Sequence, residues 1–95
     1  MAEIIWTPQA ISDLEVIRAF ISRDSEHYGA LVVRRVIESV TRLQAYPASG
    51  RVVPERGVEE LRELLWGNYR IVYKMAEDRV HVLTVFHGAR TPRLP

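Results

Sequence analysis

The chain has 95 residues, 47% of them hydrophobic and 26% charged, with thirteen basic against twelve acidic side chains and no cysteine. That length suits one compact domain over residues 1–95, and the balance of apolar and charged residues excludes disordered, collagen-like and low-complexity classes. Without cysteine there is no disulfide framework and no thiolate nucleophile or metal ligand, which makes the cytoplasm the expected compartment; a net charge of +1 is too small for the field of a nonspecific DNA binder.

The opening MAEIIWTPQA lacks the basic start of an export signal, and no stretch reaches the ~18 uninterrupted apolar residues of a membrane span. Residues 2–6 (AEIIW) are β-branched and aromatic and predict a strand. Thr7 then fits a helix N-cap, with Pro8 in the first helical position, where its missing N–H costs nothing. In the helix that follows, Ala10, Leu14, Ile17 and Ile21 recur at helical spacing and Ile11 and Phe20 widen the stripe, while Asp13, Glu15, Arg18 and Arg23 are expected to face water. Residues 23–26 (RDSE) break this pattern, with His27 expected in the turn. A second stripe through Ala30, Val33, Ile37, Val40 and Leu43 predicts a partner helix, and Tyr46-Pro47 ends it, because proline cannot extend a helix.

Residues 50–60 (GRVVPERGVEE) mix glycine, proline and charge and predict a long exposed loop, a common place for functional residues. Strands are expected over 61–65, 69–75 and 80–86, separated by the turn pairs Gly67-Asn68 and Glu77-Asp78. The order strand, helix, helix, strand, strand, strand predicts an α+β fold. Its first strand and a three-stranded antiparallel meander form one sheet packed on the helical hairpin.

Four residues stand out as candidates for chemistry or recognition. Arg70 lies on an inward-looking strand, so its guanidinium must reach a partner molecule or an internal carboxylate, of which Glu63 is the nominated one. His87 ends the last strand and, with an ordinary pKa of about 6.5, can act as an acid or base near neutrality. Arg90 follows the His87-Gly88 pair, where glycine lets the backbone turn off the sheet edge. Arg93 lies between Pro92 and Pro95, which oppose both helix and sheet ladder. No pair among His27, His81 and His87 has the i, i+4 spacing of a metal motif, and neither a G-x-S-x-G elbow nor a phosphate-binding glycine loop is present. No metal and no cofactor are therefore expected.

Several landmarks follow one another along nearly the whole chain: Trp6 before Thr7-Pro8-Gln9-Ala10, Asp13-Leu14, Ile17, Pro47 and Gly50-Arg51. After them come Val53-Pro54-Glu55, Leu61-Arg62-Glu63-Leu64, residues 69–73 (YRIVY) and His87-Gly88-Ala89-Arg90. In this order they resemble the RelE/ParE toxin superfamily of bacterial type II toxin–antitoxin systems, and its ParE-like branch in particular. The resemblance implies a toxin neutralised by a small antitoxin, of ribbon–helix–helix type and encoded adjacently. RelE-like members cleave mRNA on the ribosome with a cluster of basic residues that offsets phosphate charge, whereas ParE-like members inhibit DNA gyrase.

Arg70 and Arg90 match two RelE-type arginine positions and, with His87, would be the catalytic candidates of a ribonuclease. Leu61 and Glu63, however, stand where ribonuclease members carry lysines, and no tyrosine follows Arg90. A glutamate there repels a scissile phosphate. The implied function is thus gyrase inhibition by protein contact, of the kind associated with plasmid stabilization, without catalysis, membrane attachment or sequence-specific DNA binding by the chain itself. Arg70, His87, Arg90 and Arg93 are the expected target-binding residues. The alternatives are a ribosome-dependent endoribonuclease and a non-toxic antitoxin-binding module.

Overall fold

The computed structural model describes residues 1–88. They form β1 (Glu3–Trp6), α1 (Pro8–Ser22), α2 (Glu26–Thr41) with a 3-10 turn at Arg42–Gln44, β2 (Arg51–Val52), β3 (Leu61–Trp66), β4 (Tyr69–Ala76) and β5 (Arg79–His87). Thr7 starts α1 as its position before Pro8 predicts: its hydroxyl oxygen accepts from the Ala10 N–H at 3.2 Å. The same hydroxyl donates to the Val82 carbonyl at 2.7 Å, so one side chain both caps the helix and fastens it to β5. Ser25 caps α2 by accepting from the Tyr28 N–H at 3.1 Å. This cap draws His27 into the first turn of α2, not into the connection before it.

The sheet has the order β1-β5-β4-β3-β2, with β1 parallel to β5 and every other pair antiparallel. A parallel pair needs a crossover, and the helical hairpin supplies it. The predicted α+β arrangement holds with one added strand: β2 pairs Arg51 with Glu63 and Val52 with Arg62 at the sheet edge. Residues 50–60 are therefore not one exposed loop, since Gly50 and Val53 are buried and the continuous exposed run is 54–60. Two residues carry too little hydrophobic alternation to read as a strand, which is why β2 escapes a sequence reading.

The core joins Ala10 and Leu14 of α1 and Val36, Val40 and Leu43 from the second helical segment to Ile71, Tyr73, Val80, Val82 and Val85 of the sheet. Each such aliphatic side chain contributes ~1.5–3 kcal/mol when fully removed from water. The buried line of α2 runs through Gly29, Val32, Val36 and Val40, one position ahead of the predicted Ala30, Val33 and Ile37. Val33 and Ile37 instead flank α1, where they line a groove with Trp6, Ile11 and Leu14. On α1, Ile11 and Phe20 do not widen a buried stripe. Ile11 is 48% and Phe20 66% exposed, and Phe20 borders an open hollow with Val16, Phe86 and His87.

Asp13 also departs from expectation. Its Oδ2 accepts from the Thr84 hydroxyl at 2.6 Å and from the Val85 N–H at 3.0 Å. The cause is topological: β1 stops pairing at Val82, and a bulge, where Tyr73 opposes Val82 but Val72 opposes Thr84, interrupts the ladder just beyond it. The Val85 N–H thereby loses a strand partner, and Asp13 replaces it.

On the central strand β4, Tyr73 is completely buried. Its hydroxyl donates to the Pro47 carbonyl at 2.7 Å and accepts from the Gly50 N–H at 2.9 Å. A Cβ on Gly50 would stand 2.6 Å from both that hydroxyl and the Glu63 carbonyl, so only glycine fits the approach. Burial pushes the Tyr73 phenol above its ordinary pKa. No helix among the described residues is long and apolar enough to cross a membrane.

Candidate functional site

Side chains alternate between the two faces of the sheet, and the pairings Glu63 with Val72 and Arg70 with Leu65 and Phe86 place these residues on the face opposite Ile71 and Tyr73. That face, turned away from the core packed on the helices, carries the principal charge cluster. Glu63 sits at its centre with no exposed side-chain surface. Its Oε2 accepts from Arg51 Nε at 2.6 Å, and its Oε1 accepts from Arg70 Nε at 2.9 Å and from Arg70 Nη2. Burial of a carboxylate is tolerable only with such partners.

Arg70 has a second carboxylate. Its Nη1 and Nη2 donate to Oε2 and Oε1 of Glu55, both at 2.8 Å, in a two-pronged fork, and its guanidinium carbon lies 5.3 Å from the centre of the Phe86 ring. Two arginines and two glutamates thus close a formally neutral cluster. Hydrogen bonding from Arg70 holds the Glu55 carboxyl well below its usual range, at about 2, and the bond to Glu55 raises Arg70 further above neutrality.

The sign of the resulting pH dependence follows from that lowered value. A carboxyl with a folded pKa below its unfolded one contributes stability that is present above the ordinary value of 4.5 and disappears as pH falls towards about 2. Glu55→Gln is expected to remove this contribution. Melting curves taken between neutral pH and about pH 2 should show a shallower acid loss in the variant than in the wild type; parallel curves would mean that the fork does not persist in solution.

Beside the cluster, Leu65, Gly67, Asn68, Tyr69, Arg70, His87 and Gly88 line a shallow depression of about 290 Å³. Gly67, the first residue of the β3–β4 turn, adopts a left-handed φ of +55°, which brings the hairpin end round to meet the end of β5. His87 packs edge-on against Tyr69, with ring centres 5.6 Å apart and an interplanar angle of 79°. Of the four candidates, Arg70 and His87 therefore meet at one depression, while Arg90 and Arg93 lie outside the described residues. The nominated Arg70–Glu63 pair forms. Sequence reasoning missed Glu55 and Arg51, although Glu55 had a signal, since it is the acid nearest the Pro54 turn in the segment that precedes β3.

Arg62 makes no part of this cluster. It bonds to Glu59 and donates to the Ala48 and Gly50 carbonyls at 3.1 and 3.0 Å, which pins the chain entering β2. No group of three or more histidine, aspartate or glutamate side chains among the described residues is placed to hold a metal ion. Chemically, the arrangement offers one anchored guanidinium, a histidine and a tyrosine, with two carboxylates already engaging the cation.

Comparison with known proteins places this geometry. Residues 4–92 match the family described as the ParE toxin of type II toxin-antitoxin system, parDE. The Y4kP protein of Sinorhizobium fredii is 41% identical over 87 residues, covering 90% of this chain and 86% of its own. Toxin RelE2 of Caulobacter vibrioides is 33% identical over 91 residues, covering 95% and 99%. Among solved structures, the fold is shared with the chromosomal ParDE system of P. aeruginosa (TM-score 0.74, 20% identity, 92% of this chain and 96% of that one). It is shared also with the toxin–antitoxin complex RelBE2 of Mycobacterium tuberculosis (TM-score 0.57, 20% identity, 90% and 96%). The family match over nearly the whole chain and the two relatives above 30% identity agree with the fold: the chain belongs to the ParE toxin family of type II toxin–antitoxin systems, within the RelE/ParE superfamily.

Proposed function

We propose that this toxin acts in the cytoplasm by binding and inhibiting DNA gyrase, without cleaving RNA, and that a cognate antitoxin of ribbon–helix–helix type, encoded beside it, neutralises it. The observation that carries the reading is Arg70 held between Glu55 and Glu63. Phosphodiester cleavage needs unpaired positive charge where the transition state gains negative charge. Among the described residues, the arginine that lines the depression with His87 is already engaged by two carboxylates, and Glu63 stands at a position where ribonuclease members carry lysine. Inhibition by contact needs no such charge. The target-contact residues under this reading are His87, Arg90 and Arg93, with Arg70 setting the shape of the surface beside them.

The antitoxin reading is supported by exposed apolar side chains that a free monomer has little reason to keep. Ile11 and Ile37 border the groove of α1 and α2, and Val16 and Phe20 border a second hollow that reaches Phe86 and His87. An amphipathic segment of the partner that folds on docking would cover them.

Two assays separate the readings. The purified toxin is expected to block supercoiling of relaxed plasmid by gyrase, and primer extension on transcripts after induction is expected to show no new 5′ ends within translated messages. Discrete translation-dependent ends would overturn the gyrase reading in favour of an endoribonuclease. Normal growth on induction, with neither effect, would leave a non-toxic antitoxin-binding module.

A further inference from the structure

Arg70 is held by two carboxylates of different kinds. Glu63 comes from β3, is wholly buried and also holds Arg51, so together with the Phe86 ring it fixes the guanidinium from within. Glu55 comes from the surface run 54–60, its side chain is 43% exposed, and the side chain it bonds among the described residues is that of Arg70. Removing Glu55 leaves the inner clamp intact. The depression of about 290 Å³ opens onto the same guanidinium, and its rim carries Leu65, which is 56% exposed.

We infer that residues 54–60 act as a strap, in which Glu55 occupies a carboxylate-accepting site on Arg70 as an internal anion, and that an acidic side chain of a partner protein exchanges with it. The fork geometry favours a carboxylate, whose two oxygens in one plane meet Nη1 and Nη2 together. Charge agrees. With Glu55 displaced, Arg51 and Arg70 face only Glu63, so the formal charge rises from zero to +1, enough for one carboxylate, while Glu63 behind the arginine continues to repel a doubly charged phosphate.

Leu65 at the rim matches an apolar residue next to the acidic one, so the fitting ligand is a peptide segment with that pair of neighbours. Tethering gives Glu55 a high effective concentration at Arg70. The site therefore stays shut against free anions and yields only to a partner that adds contacts of its own. This inference does not depend on whether the toxin's target is gyrase.

The test uses the full chain labelled with nitrogen-15, following the Arg70 side-chain Nε–Hε resonance at low ionic strength. The probes are a hexaglutamate peptide and inorganic phosphate. Glu55→Gln is expected to bind hexaglutamate at least about tenfold more tightly than the wild type, with the Arg70 resonance moving in step with saturation. Glu55→Asp, which keeps the charge but shortens the reach, should fall between them and serves alone if the glutamine variant does not fold. Adding Arg70→Lys to Glu55→Gln should return affinity to the wild-type level, because an ammonium cannot form the fork. Equal peptide affinity in wild type and both Glu55 variants, or binding that leaves the Arg70 resonance unmoved, would overturn the proposal. So would phosphate saturating Glu55→Gln at a lower concentration than the peptide does, since the masked site would then be one for phosphate.

Discussion

Glu63→Ala is expected to be among the most destabilising single substitutions in this chain, lowering stability by about 3–5 kcal/mol. The mechanism is the stranding of charge. Glu63 has no exposed side-chain surface, and it accepts hydrogen bonds from two arginines. Arg51 is more than half exposed and can turn to water, but the Arg70 side chain is only 11% exposed and stays fixed beneath Phe86. Removing the carboxylate thus leaves a mostly desolvated guanidinium with Glu55 alone. For a domain of this size each kcal/mol moves the melting temperature by ~4–8 °C, so a fall of more than about 12 °C is expected.

Two companion variants separate charge from packing. Glu63→Gln keeps the volume but turns an amide towards a cation, and should lose nearly as much. Glu63→Leu combined with Arg70→Met removes both charges at similar volume and should recover most of the loss, as replacement of buried ion pairs by apolar residues commonly does. Thermal melts of the four proteins decide the matter. A single Glu63→Ala variant melting within about 3 °C of the wild type would show that water reaches the cluster and that the pairing contributes little.

The same cluster marks where the sequence is legible and where it stops being so. Thr7-Pro8, the two helices and the hairpins at Gly67-Asn68 and Glu77-Asp78 follow from local chemistry, because caps and turns depend on residues a few positions apart. The Arg70–Glu63 pair was legible because adjacent antiparallel strands bring residues seven apart onto neighbouring positions. Glu55 and Asp13 were not. Their partners lie 15 residues away across a loop and 71 and 72 residues away from helix to sheet; the first contact exists only once β3 has paired with β4, and the second only once α1 packs against β5. The shift of the α2 stripe has the same origin: apolar residues on two adjacent lines of a helix are equivalent to a periodicity argument until the neighbouring helix occupies one of them.

If this toxin acts by contact with its target, as proposed, Arg70 is already engaged by two carboxylates and Arg90 and Arg93 are expected to carry most of the recognition. Prolines 92 and 95 restrict the backbone of the segment that holds them, which lowers the entropy lost when that segment binds. Replacing both arginines by alanine should abolish growth inhibition. A role in target contact alone also predicts that antitoxin binding is retained and that stability changes by no more than about 0.5 kcal/mol, the usual range for surface substitutions. Growth curves on induction, co-purification with the antitoxin and thermal melting therefore have to be read together. Full toxicity with an unchanged melt would move the contact surface to His87 and the depression around Tyr69, where His87→Ala becomes the variant to compare. Lost toxicity with a collapsed melt would make one of the two arginines part of the folded framework, and single substitutions would then show whether it is Arg90, two residues beyond Gly88, that the fold requires.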